Sequence, residues 1–325
     1  MSSWQAVNRV RYDRLLLATG AEPRRLCVPG AELHGVHYLR DLADADALAG
    51  RLGGGGRVVV IGAGWIGAEV AASARQKGLD VAIVEMAQTP LERVLGREIG
   101  EVYAQIHHDH GVELHTGAGL ESFEGGSAGV ERVRLTDGSA LDCDFVVVGV
   151  GVTPRTALAA DAGLAVDNGI LASDRLETSD PSVYAAGDVV NAVHPFFGRP
   201  LRVEHWANAL NQPATTARAM LGKPASYDRL PYFFSDQYEI GMEYSGYATD
   251  WDEVVVRGDV AAREFIAFWL RDGRVLAGMN VNVWDVTDAI KALIQSRSVV
   301  PTDRLRDPDV PLDEVAVAAA GGVAR

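Results

Sequence analysis

The segment RVVVIGAGWIGAE, Arg57 to Glu69, sets Gly62, Gly64 and Gly67 at G-x-G-x-x-G spacing between a Val-rich run and a helical one. In that setting each glycine has its own task. The first permits a tight turn, the second lets a pyrophosphate approach the backbone, and the third lets helix and strand pack closely. The phosphates, held around Gly62, Gly64, Ile66 and Gly67, would rest on free N–H groups at the helix N-terminus, where the dipole favours negative charge. Glu85 ends the following strand, the place from which a carboxylate accepts both hydroxyls of an adenosine ribose. The same carboxylate would repel a 2′-phosphate, so the pattern predicts NADH rather than NADPH.

Elements that could position this turn follow one another along the chain. Strand Arg57–Ile61, helix Ile66–Lys77 closed by Gly78, strand Val81–Glu85, helix Arg97–His110 closed by Gly111 and strand Val112–Thr116 alternate as in a parallel βαβ sheet. The apolar runs Val58–Gly64 and Phe145–Val152 read as buried parallel strands. Upstream lie a strand Tyr12–Thr19 and a helix Arg40–Leu52. Downstream lie a strand and turn at Ser182–Asp188, a polar helix His205–Leu221 and a linker Gly222–Pro224. Alternating segments at Tyr232–Tyr238, Glu253–Arg257, Glu264–Leu270 and Arg274–Val281 predict an antiparallel sheet with one helix at Val286–Ser296. The Ala- and Gly-rich tail Val315–Arg325 reads as a frayed end.

Composition narrows the function. With 30 basic and 44 acidic side chains in 325 residues the formal net charge is −14, a field that opposes nucleic acid. No apolar run reaches the length of a membrane span, and the start MSSWQAVNRVRYDR has no apolar core of a secretory signal, so a cytoplasmic protein is expected. Cys27 and Cys143, the two cysteines, lie too far apart in sequence for a C-x-x-C dithiol. They read as ordinary buried or half-buried side chains. The run His107, His108, Asp109, His110 closes a helix, where such groups suit the dipole, and no Cys or spaced carboxylate set completes a metal site around it.

Four further motifs, YDRLLLATGAEP, VYAAGDVV, RVEHWANALNQ and PYFFSDQYEIGMEYSGY, flank the dinucleotide turn in a fixed order. Together they resemble the FAD- and NAD(P)H-dependent ferredoxin reductases of oxygenase systems, a family that also includes rubredoxin reductases and apoptosis-inducing-factor-like proteins. The likeness runs from about Tyr12 to about Asp309. It implies that Ala18, Thr19 and Gly20 lie close to FAD, and that Gly187 and Asp188 bind the ribityl chain and pyrophosphate of the flavin. It further implies that Glu204, His205 and Trp206 line the flavin ring, that Glu69 meets the nicotinamide, and that Gly149 and Gly151 form a loop beneath NADH. Arg93 in PLERVL is a weaker cofactor contact. Arg155 departs from the family, which more often carries Asn there. Simpler roles stay open: Asp188 as a turn cap, Trp206 as core packing, Glu204 as a surface carboxylate at a helix start.

The resemblance implies an α/β fold with doubly wound FAD- and NAD(P)-binding domains of the disulfide-reductase type and an α+β C-terminal domain. Residues 1–36 and 157–223 would be the remainder of the FAD-binding domain, 37–156 the NADH-binding domain and 224–325 the C-terminal one. A first G-x-G-x-x-G unit for the ADP half of FAD is expected to be missing, as in a chain shortened at its N-terminus. The activity implied is electron transfer from NADH through FAD to a two-iron ferredoxin or a rubredoxin that serves an oxygenase, by a monomer or weak homodimer. Without a dithiol, electrons would leave directly from the reduced flavin. The other class is a non-catalytic NADH-binding or interaction protein whose flavin site has been lost. A flavin band in the visible spectrum separates the two.

Two unit charges 4 Å apart repel by ~4 kcal/mol at an effective dielectric of 20, an upper figure for a partly solvated site. NADH should therefore bind at least about tenfold more tightly than NADPH, a difference of ~1.4 kcal/mol. Glu85→Ala should narrow that gap. Titrations of both nucleotides check this, and equal affinities in the unaltered protein would remove the assignment.

Overall fold

The computed structural model describes residues 10–315. Of these, the residues up to Ala21 join Pro154–Pro231 in one compact unit, and Glu22–Thr153 joins the residues from Tyr232 onward in a second. Of the Ala- and Gly-rich tail, only Val315 lies among the described residues.

In the larger unit five parallel strands stand in the order Val36–Tyr38, Phe145–Val148, Arg57–Ile61, Asp80–Glu85, Glu113–Thr116. Side chains alternate across a pleated strand, and here both faces are covered. Val58, Val60, Phe145 and Val147 share a core with Leu48, Leu52, Val70, Ala71 and Ala74 of the helices Leu42–Leu52 and Trp65–Gln76. Val59, Ile61, Val146 and Val148 pack instead with Phe123, Val130, Val133, Leu135 and Leu141. Those residues belong to a three-stranded meander, Leu120–Gly126, Gly129–Leu135 and Ala140–Asp142. Double-sided burial is why the central strands Arg57–Ile61 and Phe145–Val148 read as apolar runs rather than as alternating ones.

The second sheet of this unit is antiparallel, in the order Tyr232–Gln237, Ile240–Gly246, Arg274–Val281, Glu264–Arg271, Glu253–Asp259. Its strand Ile240–Gly246 was not among the segments the alternation predicts. The helix anticipated from Arg97 instead begins at Glu92 and is broken at Gly96, whose φ is +75°. A Cβ there would also lie 2.9 Å from the Trp251 ring. Leu95, Ile99, Tyr103 and Ile106 of this broken helix share one core with Met242, Tyr244, Trp269 and Met279 of the antiparallel sheet.

In the smaller unit, Leu15–Leu17 pairs in parallel with Val183–Ala185, and the strands Ile170–Ala172, Val190–His194 and Arg199–Leu201 form a separate sheet. Leu176, Val183, Ala185, Val189 and Val190 are its buried core, with Leu15 and Leu17 against it. The helix Trp206–Met220 completes the unit. Among the described residues no helix is long and apolar enough to cross a membrane.

Trp269 is fully buried and its Nε1–H donates to the Leu95 carbonyl over 3.0 Å, at the residue before the helix break. Truncating a buried aromatic costs about 3–5 kcal/mol. Trp269→Ala should lower the unfolding free energy by about that amount; urea melts followed by circular dichroism would measure it.

Candidate nucleotide-binding sites

The glycine turn of the larger unit is dictated by backbone contacts. Gly62 has φ +96°, and a Cβ on it would sit 2.5 Å from the Gly149 carbonyl oxygen. A Cβ on Gly67 would come within 2.0 Å of the Gly62 oxygen. Both positions therefore exclude any side chain. Gly149 N–H donates to Ile61 O over 2.8 Å, which holds the Gly149 loop against the turn. Gly64 differs, because it is exposed, caps the Trp65–Gln76 helix without a side-chain hydrogen bond, and would point a Cβ into open space. An uncapped helix start behind an open glycine is a cradle for phosphate, so these residues fit a dinucleotide. Ile66 is exposed on the first helical turn. Gly151, at φ +95°, accepts from Arg24 N–H over 3.0 Å, and Arg93 is exposed at the start of the next helix.

Glu85 is half-buried, and its carboxylate accepts from Ala63 N–H over 2.7 Å and from Ala87 N–H over 2.8 Å. It thus ties the glycine turn to the end of its own strand. An ionised carboxylate has about four lone-pair sites, which leaves acceptor capacity for ribose hydroxyls.

Glu69 lies one turn into the same helix and is half-buried. Ser235 Oγ–H donates to its Oε1 over 2.6 Å. Burial raises its pKa above the usual carboxylate value, the Ser235 hydrogen bond opposes that rise, and the charge of Asp236 adds to it. Trp65, beside the turn, packs edge-on against Phe233 at 5.0 Å and Tyr103 at 6.1 Å between ring centroids.

In the smaller unit the residues singled out around the flavin meet at the carboxyl ends of two parallel strands, where open α/β sheets place their ligands. Ala186 N–H donates to Leu17 O over 3.1 Å, which sets Ala18, Thr19 and Gly20 beside Gly187 and Asp188. Thr19 Oγ1 donates to Arg155 O over 2.7 Å, and Arg155 N–H to Gly20 O over 2.9 Å. Both bonds use backbone atoms of Arg155, so the unusual side chain leaves them intact. Gly187 has φ +80° with open space where a Cβ would be, and its N–H donates to Gln212 Oε1 over 2.7 Å. An open left-handed glycine followed by a carboxylate fits the polar chain of a flavin nucleotide. Burial lowers the His205 pKa to about 4, with the charge of Asp188 opposing. Glu204 pairs with Arg202, and Trp206 is 70% exposed, so core packing is not its role.

Ser235 and Gln212 were not anticipated, although each lies inside a motif noted in the sequence. Their partners are Glu69 and Gly187, far away along the chain, and no local pattern reveals such pairings. Of the other chemistry-bearing groups, Cys27 is exposed and Cys143 is buried, with its thiol pushed up to about 12 chiefly by burial. His107 is fully buried, and among the described residues no three His, Cys, Asp or Glu side chains converge on a metal-sized space.

Gly64→Ala and Gly67→Ala should separate binding from folding. The first projects a methyl into the open cradle, so NADH affinity should fall about tenfold or more, ~1.4 kcal/mol, with the melting temperature nearly unchanged. The second forces a Cβ onto the Gly62 carbonyl, so both affinity and melting temperature should fall. Calorimetric titration and thermal melts on the two variants decide this.

Residues 4–213 match the family model described as pyridine nucleotide-disulphide oxidoreductase, and residues 232–316 match one described as reductase C-terminal. The probable ferredoxin reductase CtmF of Castellaniella defragrans is 39% identical over 309 residues, covering 95% of this chain and 76% of that protein. The putidaredoxin reductase CamA of Pseudomonas putida is 38% identical over 313 residues, 95% of this chain and 74% of that one. Among solved structures, the ferredoxin reductase for the CYP199A2 system from Rhodopseudomonas palustris superposes with a TM-score of 0.91 at 38% identity, covering 94% of this chain and 76% of that one. Sequence, fold and the two glycine turns agree: the chain belongs to the FAD- and NAD(P)H-using pyridine nucleotide-disulphide oxidoreductase family, among relatives that are ferredoxin reductases.

Proposed function

We propose that this protein is a flavoprotein reductase that takes electrons from NADH through FAD to an iron–sulfur ferredoxin. The observation that carries this reading is a pair of nucleotide cradles in one chain, Gly62–Gly67 in one unit and Gly187–Asp188 with Thr19–Gly20 in the other. One dinucleotide site suffices for binding NADH; two imply a donor and an acceptor. In finer detail, the acceptor is a two-iron ferredoxin, with rubredoxin as the other small carrier of suitable chemistry, and it serves an oxygenase. The reductase would work as a monomer or weak homodimer.

FAD, when bound, accepts two electrons as a hydride and releases them singly. Ala18, Thr19, Gly20, Gly187 and Asp188 would hold it, with Glu204, His205 and Trp206 along its ring. His205 is neutral at pH 7, since its pKa is lowered to about 4, so it adds no charge beside Asp188. Gly62, Gly64, Ile66 and Gly67 would seat the NADH pyrophosphate on the helix start, Glu85 would accept its ribose hydroxyls, and Gly149, Gly151 and Arg93 would border it. Glu69 would act at the nicotinamide. That ring gains positive charge as hydride departs, and a fixed carboxylate beside it stabilises the developing charge.

The reading is tested by purifying the protein with FAD and following NADH-driven reduction of a two-iron ferredoxin. A flavin band bleached by NADH and electron flow to the ferredoxin are expected. A colourless protein that binds NADH but no FAD would support the non-catalytic alternative instead. Because the chain is acidic, its docking face needs local positive charge, for which Arg199, Arg202, Lys291, Arg297, Arg304 and Arg306 are the candidates. Raising ionic strength from about 0.1 to about 1 M shortens the Debye length from about 10 to about 3 Å. Ferredoxin reduction should slow several-fold over that range while flavin reduction by NADH changes little. A salt-independent rate with ferredoxin would remove the electrostatic docking role.

A further inference from the structure

A buried set of polar side chains runs from Glu69 into the antiparallel sheet. Ser235 Oγ–H donates to Glu69 Oε1 over 2.6 Å, and Gln237 Nε2–H donates to Ser235 Oγ over 3.3 Å. At the far end the Tyr238 hydroxyl lies 3.0 Å from His107 Nδ1. Between the two halves, the Gln237 side chain acts on the His107 ring, opposing the burial that holds its pKa near 4. Among the described residues His107 Nε2 and Gln237 Oε1 have no hydrogen-bond partner. Ser235, Gln237 and His107 are 2%, 1% and 0% exposed, which keeps bulk water from substituting for any of these contacts.

A neutral imidazole carries one N–H and one acceptor nitrogen. With the proton on Nε2, a tautomer assigned from the network, the ring accepts from Tyr238 O–H at Nδ1. Separately, Gln237 donates to Ser235 and Ser235 to Glu69, so both donors point toward the carboxylate.

We propose that Gln237 and Ser235 form a one-way hydrogen-bond chain of positioning residues that keeps the Glu69 carboxylate ionised and oriented. Successive hydrogen bonds of one direction polarise each other, and donors to a carboxylate favour its charged form. Burial and Asp236, the charged neighbour acting on Glu69, both push toward the neutral form, so the chain opposes them. The turn that follows Gln237 is itself held firmly. Tyr238 takes φ +59° in the two-residue turn between Gln237 and Ile240, a conformation uncommon for a bulky residue. Its ring stacks on His110 at 3.7 Å and meets His107 edge-on at 5.6 Å. The catalytic consequence rests on the proposed contact between Glu69 and the nicotinamide; the state of the carboxyl does not.

The Glu69 carboxyl can be followed in nucleotide-free protein by isotope-edited infrared titration, its band identified by subtraction of Glu69→Gln. Ser235→Ala should raise its midpoint, Ser235→Thr should keep it, and Gln237→Leu should raise it by less. In stopped-flow reduction of bound flavin by NADH, the acid limb of the pH profile should move upward with the midpoint. An unmoved midpoint in both Ser235→Ala and Gln237→Leu would overturn the chain. If Glu69→Gln left flavin reduction unaltered, the nicotinamide contact would fall, and the infrared midpoint would still decide for or against the chain.

Discussion

The larger unit depends on the approach of three backbone segments that no side chain separates. Gly67 lies against the Gly62 carbonyl, and Gly62 lies against the Gly149 carbonyl. Adding one carbon at Gly62 or Gly67 would force helix and strand apart by more than a packed core tolerates. Because this contact is so close, the N-terminal end of the Trp65–Gln76 helix stands directly at the end of the Arg57–Ile61 strand. The free N–H groups, the exposed Gly64 and the Glu85 carboxylate bonded to Ala63 N–H all gather there as a consequence.

The antiparallel sheet supplies what the parallel sheet cannot. Its strand Tyr232–Gln237 brings Phe233 against Trp65 and Ser235 against Glu69, one turn apart on the nucleotide-binding helix. Its inner face closes over Leu95, Ile99, Tyr103 and Ile106. Gly96 makes this possible, since its φ of +75° breaks the helix there and a Cβ on it would meet the Trp251 ring. The reductase C-terminal region thereby lies in the same compact unit as the glycine turn.

How much of this the sequence discloses follows from the range of the forces involved. The glycine turn was legible because its requirements are local: a left-handed φ at Gly62 and close packing at Gly67, within one motif. Strands Arg57–Ile61, Asp80–Glu85 and Phe145–Val148 were legible because burial on both faces makes them almost continuously apolar, whereas the short, half-buried Val36–Tyr38 was not anticipated. Strand Ile240–Gly246 was obscured by Gly241 and Gly246, which dilute the alternation that Ile240, Met242 and Tyr244 carry. The break at Gly96 was hidden too, since an isolated glycine inside a helical pattern signals either tolerance or interruption. The Ser235–Glu69 and Gln212–Gly187 bonds join distant stretches of chain. Only the folded backbone brings them together.

Two imidazoles with strongly lowered pKa values give the molecule a common weakness. His107 in the larger unit and His205 in the smaller have pKa values lowered from 6.5 to about 4, in each case mainly by burial. Once released by unfolding, each ring binds a proton at any pH below about 6.5, whereas the folded protein takes one up only near pH 4. Between those limits acidification favours the open chain, and the stability both rings confer when neutral is lost as pH falls. Mild acid therefore loosens both units at once, each through a different histidine, even though their cores share no residue.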